Sequence, residues 1–407
     1  MKLLHTADWH LGARLGGHDL TPALLQRVER VCALCDEREV DVLLVAGDVF
    51  EKKYGLAEVT KRLAQILKPR VARGLHVVLV PGNHDDREHF HMMRELLSLT
   101  NDDTLARRVK IVENAEIFSL CGAHFCAFPY PNREMLLQSR PDISGDERWT
   151  WSSATYADVV RAWGLRLKEK AAQAREPMVF VAHVTVAGVT TPSGHEINYN
   201  EDIRLGRDDL PRDMAYIALG HIHQKQKIDC PEPCYYSGSL DRLDMGEWKD
   251  EKFVLLADVP ELGPARVEEI ALAATPFLKV PIAASKLESL PQTYPDLGEA
   301  FVYFEVECGP DDDKVAVRRR LNELCPRSLD VQMTGAGTLP QMIGAPAQPR
   351  DFQVTALDYV RDRFRDDPDL PALAGETQKL LDEIGGLASA DILPTEPEEA
   401  AHAVAAH

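Results

Sequence analysis

Along the first 270 residues the hydrophobic positions switch repeatedly between two periods. Runs that are almost wholly apolar, at residues 2–5, 41–46, 76–80, 123–128, 178–182 and 214–219, read as buried strands. Between them, apolar residues recur every three or four positions at 22–38, 56–72, 89–99 and 153–174, which predicts amphipathic helices. Such alternation predicts an α/β layered fold. Runs at 235–236, 252–257 and 265–270 have no helix between them and are expected to be antiparallel strands. The sum is a β-sandwich flanked by helices over residues 1–270.

A second unit is expected at 276–334, a small α+β module with strands at 301–307 and 329–333 around a helix at 313–324. Its Arg318-Arg319-Arg320 run is the densest positive cluster, and suits a solvated helix face or a phosphate-backbone contact. Residues 335–350, rich in Gly, Pro and Ala, read as a flexible linker. Beyond it Val354, Leu357, Val360 and Phe364, then Leu380, Leu381 and Ile384, mark two amphipathic C-terminal helices within 351–386. Their apolar stripes suit packing on the body or docking on a partner. Residues 387–407 are Ala- and Glu-rich and are expected to be disordered.

The totals narrow the setting. A length of 407 residues suggests two or three domains. No apolar run approaches the roughly 20 residues of a membrane span, so no membrane role is expected. No N-terminal apolar stretch ends in a small-residue cleavage site. The eight cysteines show no secreted disulfide framework, so a reducing cytoplasm is the expected setting. Cys32 and Cys35 fall inside a helical pattern, whereas Cys230 and Cys234 bracket a Pro-Glu-Pro turn that fits a plain hairpin or a clip. The net charge of −19 opposes broad attraction to nucleic acid. Residues 341–407, however, carry 5 basic against 13 acidic side chains, and bound divalent cations would reverse the sign locally.

Candidate chemistry sits just past the predicted strands: Asp8-Trp9-His10, Gly47-Asp48, Gly82-Asn83-His84-Asp85, Ala182-His183 and Gly220-His221-Ile222-His223. Polar ligands placed past strand ends can meet at one edge of a sheet. Asp, His and Asn donors without cysteine suit Mn²⁺, Fe or Zn²⁺, whereas Mg²⁺ prefers nearly all oxygen. Asp8 and His10 are two apart, as are His221 and His223, so on extended backbone each pair points to one side. Each pair can grip one ion or straddle two. Asp48, with two short-tethered oxygens, is the best bridge, and Asn83 adds a neutral oxygen. Gly47, Gly82 and Gly220 are expected to let backbone approach metal and substrate. Together the segments point to a two-metal phosphoesterase site.

These segments resemble the motifs of the calcineurin-like metallophosphoesterases. More narrowly, the stretch from His5 to Gly12 (His-Thr-Ala-Asp-Trp-His-Leu-Gly) and Tyr236-Ser237-Gly238-Ser239-Leu240 resemble the SbcD nuclease family. The resemblance implies one metal held by Asp8, His10, Asp48 and His223, and another by Asp48, Asn83, His183 and His221. It implies that His84 is the catalytic, non-ligand histidine, with Asp85 beside it able to orient it. Some family members carry a histidine where this chain has Glu51. It further implies Mn²⁺-dependent cleavage of DNA, 3′-to-5′ on duplex ends and endonucleolytic on single strands or hairpins. The 276–334 module resembles the family's capping domain by order and size. A homodimer through residues 56–72 and 89–99 (Phe90, Met93, Leu96 and Leu97 on one face) is implied, as is an SbcC-type ATPase partner gripping residues 351–386. A phosphoesterase for nucleotides or phosphoproteins, and a non-catalytic DNA-end scaffold, are the rival readings. The added module and tail weigh against the first, the complete ligand set against the second.

Overall fold

A computed structural model describes residues 1–51, 56–99, 107–131, 147–189 and 203–335, with isolated positions 375, 377 and 379. The expected linker beyond 335, the helices at 351–386 and the tail at 387–407 lie outside the described residues, those three positions apart.

Strands β1 (Lys2–Thr6), β2 (Val42–Ala46), β3 (His76–Val80) and β4 (Val109–Ile111) are adjacent and parallel. A second sheet contains β5 (Glu116–Leu120), β6 (Ala123–Phe128), β7 (Met178–His183), β8 (Tyr216–Gly220), β9 (Gln226–Lys227) and β10 (Cys234–Tyr236), in the order β9-β10-β8-β7-β6-β5. The antiparallel pair β11 (Lys252–Asp258) and β12 (Arg266–Leu272) completes the first sheet beside β1. Every residue of β2 is buried. The physical reason is that both faces of its sheet are covered.

Alternate side chains divide those faces. Leu3, Val42, Leu44 and Val78 meet Phe125, Val179, Val181 and Ala218 of the second sheet in one core. Leu4, Leu43, Val45 and Val77 point outward onto Leu24, Val28, Leu63, Leu67 and Phe90. These belong to helices α1 (Thr21–Arg38), α2 (Leu56–Arg73) and α3 (Arg87–Ser98). The outer face of the second sheet, through Phe128, Phe180 and Leu219, packs on Tyr156, Val160 and Leu167 of α4 (Glu147–Ala174). The result is a helix–sheet–sheet–helix sandwich, the mixed α/β fold expected.

Three details differ from expectation. The run at 235–236 is antiparallel only to short β9 and pairs in parallel with β8. Strands β4 and β5 escape the sequence pattern because they are short and half-buried. Helix α3 begins earlier than 89, because Asp86 caps it by accepting from Glu88 N at 3.3 Å.

Beyond the sandwich, β13 (Phe277–Ala283), β14 (Phe301–Cys308) and β15 (Ser328–Gly335) form a three-stranded parallel sheet. Helix α5 (Lys314–Leu324) links β14 to β15, and Asp313 caps it by accepting from Val315 N at 2.8 Å. Val302, Phe304, Val306, Val317 and Leu321 make its own core. The strand β13 is masked in the sequence by Lys279 and Pro281. Among the described residues no helix is long and apolar enough to cross a membrane.

Candidate metal centre

Parallel strands deliver their C-terminal loops to one edge, and here both sheets do so together. Past β1, Asp8 N donates to Gly47 O and His10 N to Asp48 O, each at 2.9 Å. From the other sheet, His183 Nδ1 donates to Ala46 O at 2.9 Å and His221 N to both Asp8 carboxylate oxygens at 3.1 Å. Four of these residues have left-handed backbone: Asp8 (φ 52°), His10 (φ 44°), Asp48 (φ 50°) and His221 (φ 100°). Each such residue costs about 1–3 kcal/mol and persists only where its surroundings over-determine it. The expectation of extended backbone at 8–10 and 221–223 is thereby corrected. These side chains converge because the chain coils tightly after each strand.

The donors fall into overlapping groups. Ligand atoms of Asp8, His10 and His223 lie within 4.8 Å of one another, as do those of Asp48, His183 and His221, and of His10, Asp48 and His84. His10 Nε2 faces His223 Nε2 at 3.1 Å. Asp48 Oδ2 stands between the groups, 3.6 Å from His10 Nε2 and 3.3 Å from His183 Nε2. Asn83 Oδ1 lies 3.0 Å from His183 Nε2 and 2.9 Å from His221 Nδ1. Two imidazole nitrogens turned on each other beside buried carboxylates are a poor arrangement for bare side chains. A divalent cation satisfies their lone pairs at once, so the donor set fits metal.

Electrostatics say the same. Burial works against the Asp48 charge, yet His183, His10 and His84 hold its carboxyl well below the usual range. Burial would strip the His183 proton, but Asp48 and Asp8 raise it to about 9. His223 is raised as well, Glu247 outweighing burial. These protons sit where carboxylates demand positive charge, and cations can replace them.

At the three glycines the loops that carry the site lie too close together for a side chain. A Cβ on Gly47 would fall 1.8 Å from His183 Nδ1, and one on Gly220 1.8 Å from Ala46 O. At Gly47 the backbone is also left-handed, at φ 99°.

His84 is exposed, and its Nδ1 lies 3.4 Å from Glu51 Oε2. Glu51 raises His84 to about 9 against its partial burial, with help from Asp48. Asp85 does not orient His84, contrary to expectation. Its carboxylate turns inward and accepts from Val49 N (3.1 Å), Phe50 N (2.8 Å) and Gly82 N (2.9 Å). It thus ties the Asp48 loop to the Asn83 loop. Burial and the nearby Asp48 push its carboxyl up to about 7, against three N–H groups that favour the anion.

Sequence reasoning missed two carboxylates. Glu51, noted only as a departure, accepts from His10 Nδ1 at 2.6 Å. Burial raises its carboxyl, but His10 and His84 bring it down to about 2. Glu247 accepts from His223 Nδ1 at 2.8 Å. The one sequence signal for it was Lys252, a lysine opening an otherwise apolar strand, which binds Glu247 Oε2 at 2.5 Å. The side chains of the Arg318-Arg319-Arg320 run have different surroundings. Arg320 is clamped by Glu288 at 2.6 and 2.7 Å, and Arg318 donates to Val331 O at 2.9 Å. Arg319 is exposed.

A family model described as calcineurin-like phosphoesterase matches residues 1–225. The SbcD subunit of the SbcCD nuclease of Escherichia coli K12 is 24% identical over 345 residues, covering 82% of this chain and 84% of that protein. The SbcD subunit of the same nuclease in Rhodobacter capsulatus is 30% identical over 302 residues, covering 69% and 72%. A solved dimetal phosphatase from Danio rerio has a TM-score of 0.38 at 11% identity, covering 67% of this chain and 99% of that one. The chain belongs to the calcineurin-like phosphoesterases and, within them, to the SbcD nucleases, which makes it a metal-dependent phosphodiesterase.

Proposed function

We propose that the chain is the nuclease subunit of a DNA-repair complex, hydrolysing DNA phosphodiesters with two Mn²⁺ ions. The observation that carries this is the convergence of the buried Asp8, His10, Asp48 and His183 with His221 and His223 at one edge of two sheets. Asp8, His10, Asp48 and His223 hold one ion. Asp48, Asn83, His183 and His221 hold the other, with Asp48 as bridge. When bound, such a pair neutralises charge developing on the phosphate and acidifies water. His84 is not a ligand in this reading. Its exposed imidazole, held by Glu51, donates a proton towards the leaving oxygen.

The finer activities follow the family: 3′-to-5′ digestion of duplex ends and endonucleolytic cleavage of single strands and hairpins. The two similar bacterial proteins are each the SbcD component of an SbcCD nuclease. By that likeness this chain works with an SbcC-type ATPase, gripped through residues 351–386, and the partner supplies DNA affinity that a charge of −19 withholds. Arg318, Arg319 and Arg320 contact the phosphate backbone, Arg318 and Arg319 being exposed. A homodimer forms over the apolar groove of Leu63, Leu67, Met93, Leu96 and Leu97 between α2 and α3.

The test is purified protein with Mn²⁺ on a hairpin-ended duplex. Expected are Mn²⁺-dependent cleavage, its abolition by Asp8→Ala, and a loss of about 10²–10⁴-fold with His84→Ala while metal binding persists. No cleavage by the unaltered protein would overturn the nuclease reading.

A further inference from the structure

The two proposed ion positions are built differently behind their histidines. At one, both imidazoles are backed by carboxylates: Glu51 on His10 Nδ1 at 2.6 Å and Glu247 on His223 Nδ1 at 2.8 Å. Their Nε2 atoms are left facing each other at 3.1 Å. At the other, the far nitrogen of one ring is backed by a carbonyl in place of a carboxylate: His183 Nδ1 donates to Ala46 O at 2.9 Å. A carboxylate on the far nitrogen fixes ring and tautomer and makes the ligating nitrogen more basic.

Glu247 is buried and held at both carboxylate oxygens. It is 3% exposed and lies at the end of a short 3₁₀ turn, Met245–Glu247, with the Asp244 side chain capping the turn. Lys252, 2% exposed, binds Glu247 Oε2 at 2.5 Å, Ser239 Oγ at 2.9 Å and His223 O at 3.2 Å. Ser239 N in turn donates to His223 O at 3.1 Å. At Gly238 (φ 79°) an added Cβ would come within 2.7 Å of the same carbonyl. The Tyr236–Leu240 segment, which shares no ligand with the metal centre, thus packs against the back of His223.

Resting on the two-ion reading above, we propose that Glu247 and Glu51 are positioning residues for the His10/His223 ion. Through them that position becomes the tighter of the two. Lys252 keeps the buried Glu247 charge paired, so that its second oxygen stays on His223. A lone buried carboxylate would be costly. The proposal concerns which ion binds first, not whether hydrolysis occurs.

Calorimetric titration of Mn²⁺ into chelator-stripped protein tests it without any activity readout. The unaltered chain takes up two ions in two steps. Glu247→Gln and Glu51→Gln each weaken the tighter step by about 10–100-fold and leave the weaker step unchanged. Asn83→Ala does the reverse. Because Glu247→Gln strands Lys252, the double variant Glu247→Gln/Lys252→Met, which removes both charges, is titrated alongside. It weakens the tighter step to the same degree. A folded double variant with both steps unchanged, or with both weakened alike, overturns the inference while the two-ion reading stands. Failure of the unaltered chain to bind two ions overturns that reading, and this inference with it.

Discussion

Gly82 lies so close to Asp48 that a Cβ would sit 2.0 Å from its carboxylate oxygen and 2.5 Å from its backbone nitrogen. The bridging position proposed for Asp48 therefore depends on a missing side chain in the loop after β3. Gly82→Ala must push the Asp48 loop aside. Overpacking of this kind costs about 1–3 kcal/mol. Displacing a reacting group by about 1 Å costs on the order of 100-fold in rate. Thermal melts and Mn²⁺-dependent hydrolysis of bis(p-nitrophenyl) phosphate should show both losses. Full turnover in a folded variant would mean that the loop yields freely.

His5 should make the fold acid-sensitive. It is wholly buried beside the Tyr216 hydroxyl at 2.9 Å, and burial lowers its pKa from 6.5 to about 3, despite opposing help from the Leu219 backbone. The unfolded chain therefore binds a proton that the folded chain refuses. Stability from this residue is fully present above about pH 6.5 and falls by about 1.4 kcal/mol per unit as pH drops towards 3. Urea unfolding of the unaltered chain and of His5→Gln at pH 7 and pH 5 isolates the effect. The unaltered chain should lose about 2 kcal/mol more. An equal loss in both would rule the mechanism out.

Asp241 joins three distant parts of the chain. Its buried carboxylate accepts from Thr275 N and Oγ1, both at 2.6 Å, and from Arg242 N at 2.8 Å. Arg27 Nε on α1 lies 3.3 Å away. Asp241→Ala leaves those donors without a partner and should cost about 3–5 kcal/mol. The midpoint of urea denaturation reads this directly, and a change under 1 kcal/mol would show that water replaces the carboxylate.

Leu96 tests the proposed dimer without disturbing the monomer core, since it is 56% exposed while neighbouring Phe90 is fully buried. Leu96→Glu should convert a dimer into monomers at micromolar concentration. Light scattering coupled to gel filtration would register the halved mass. A variant that stays dimeric would place the seam elsewhere.

The sequence by itself determined most of the strands and helices and the identity of the donor segments. A short all-apolar run rich in Val, such as 42–46, reads as a strand covered on both faces, and the short motifs after it are local features. It also carried the likeness to the SbcD nucleases, since that rests on contiguous residues. What only the tertiary structure decided is how those residues face one another. Extended backbone was the natural expectation at 8–10, yet the loop coils because Asp8 N and His10 N bond to the loop of Asp48, some 40 residues away. Glu51, Glu247 and Asp85 take their roles from partners on other loops: His10, His223 and the backbone of Val49 and Phe50. No periodicity encodes such pairings, because they form only when the two sheets bring their strand ends to a common edge.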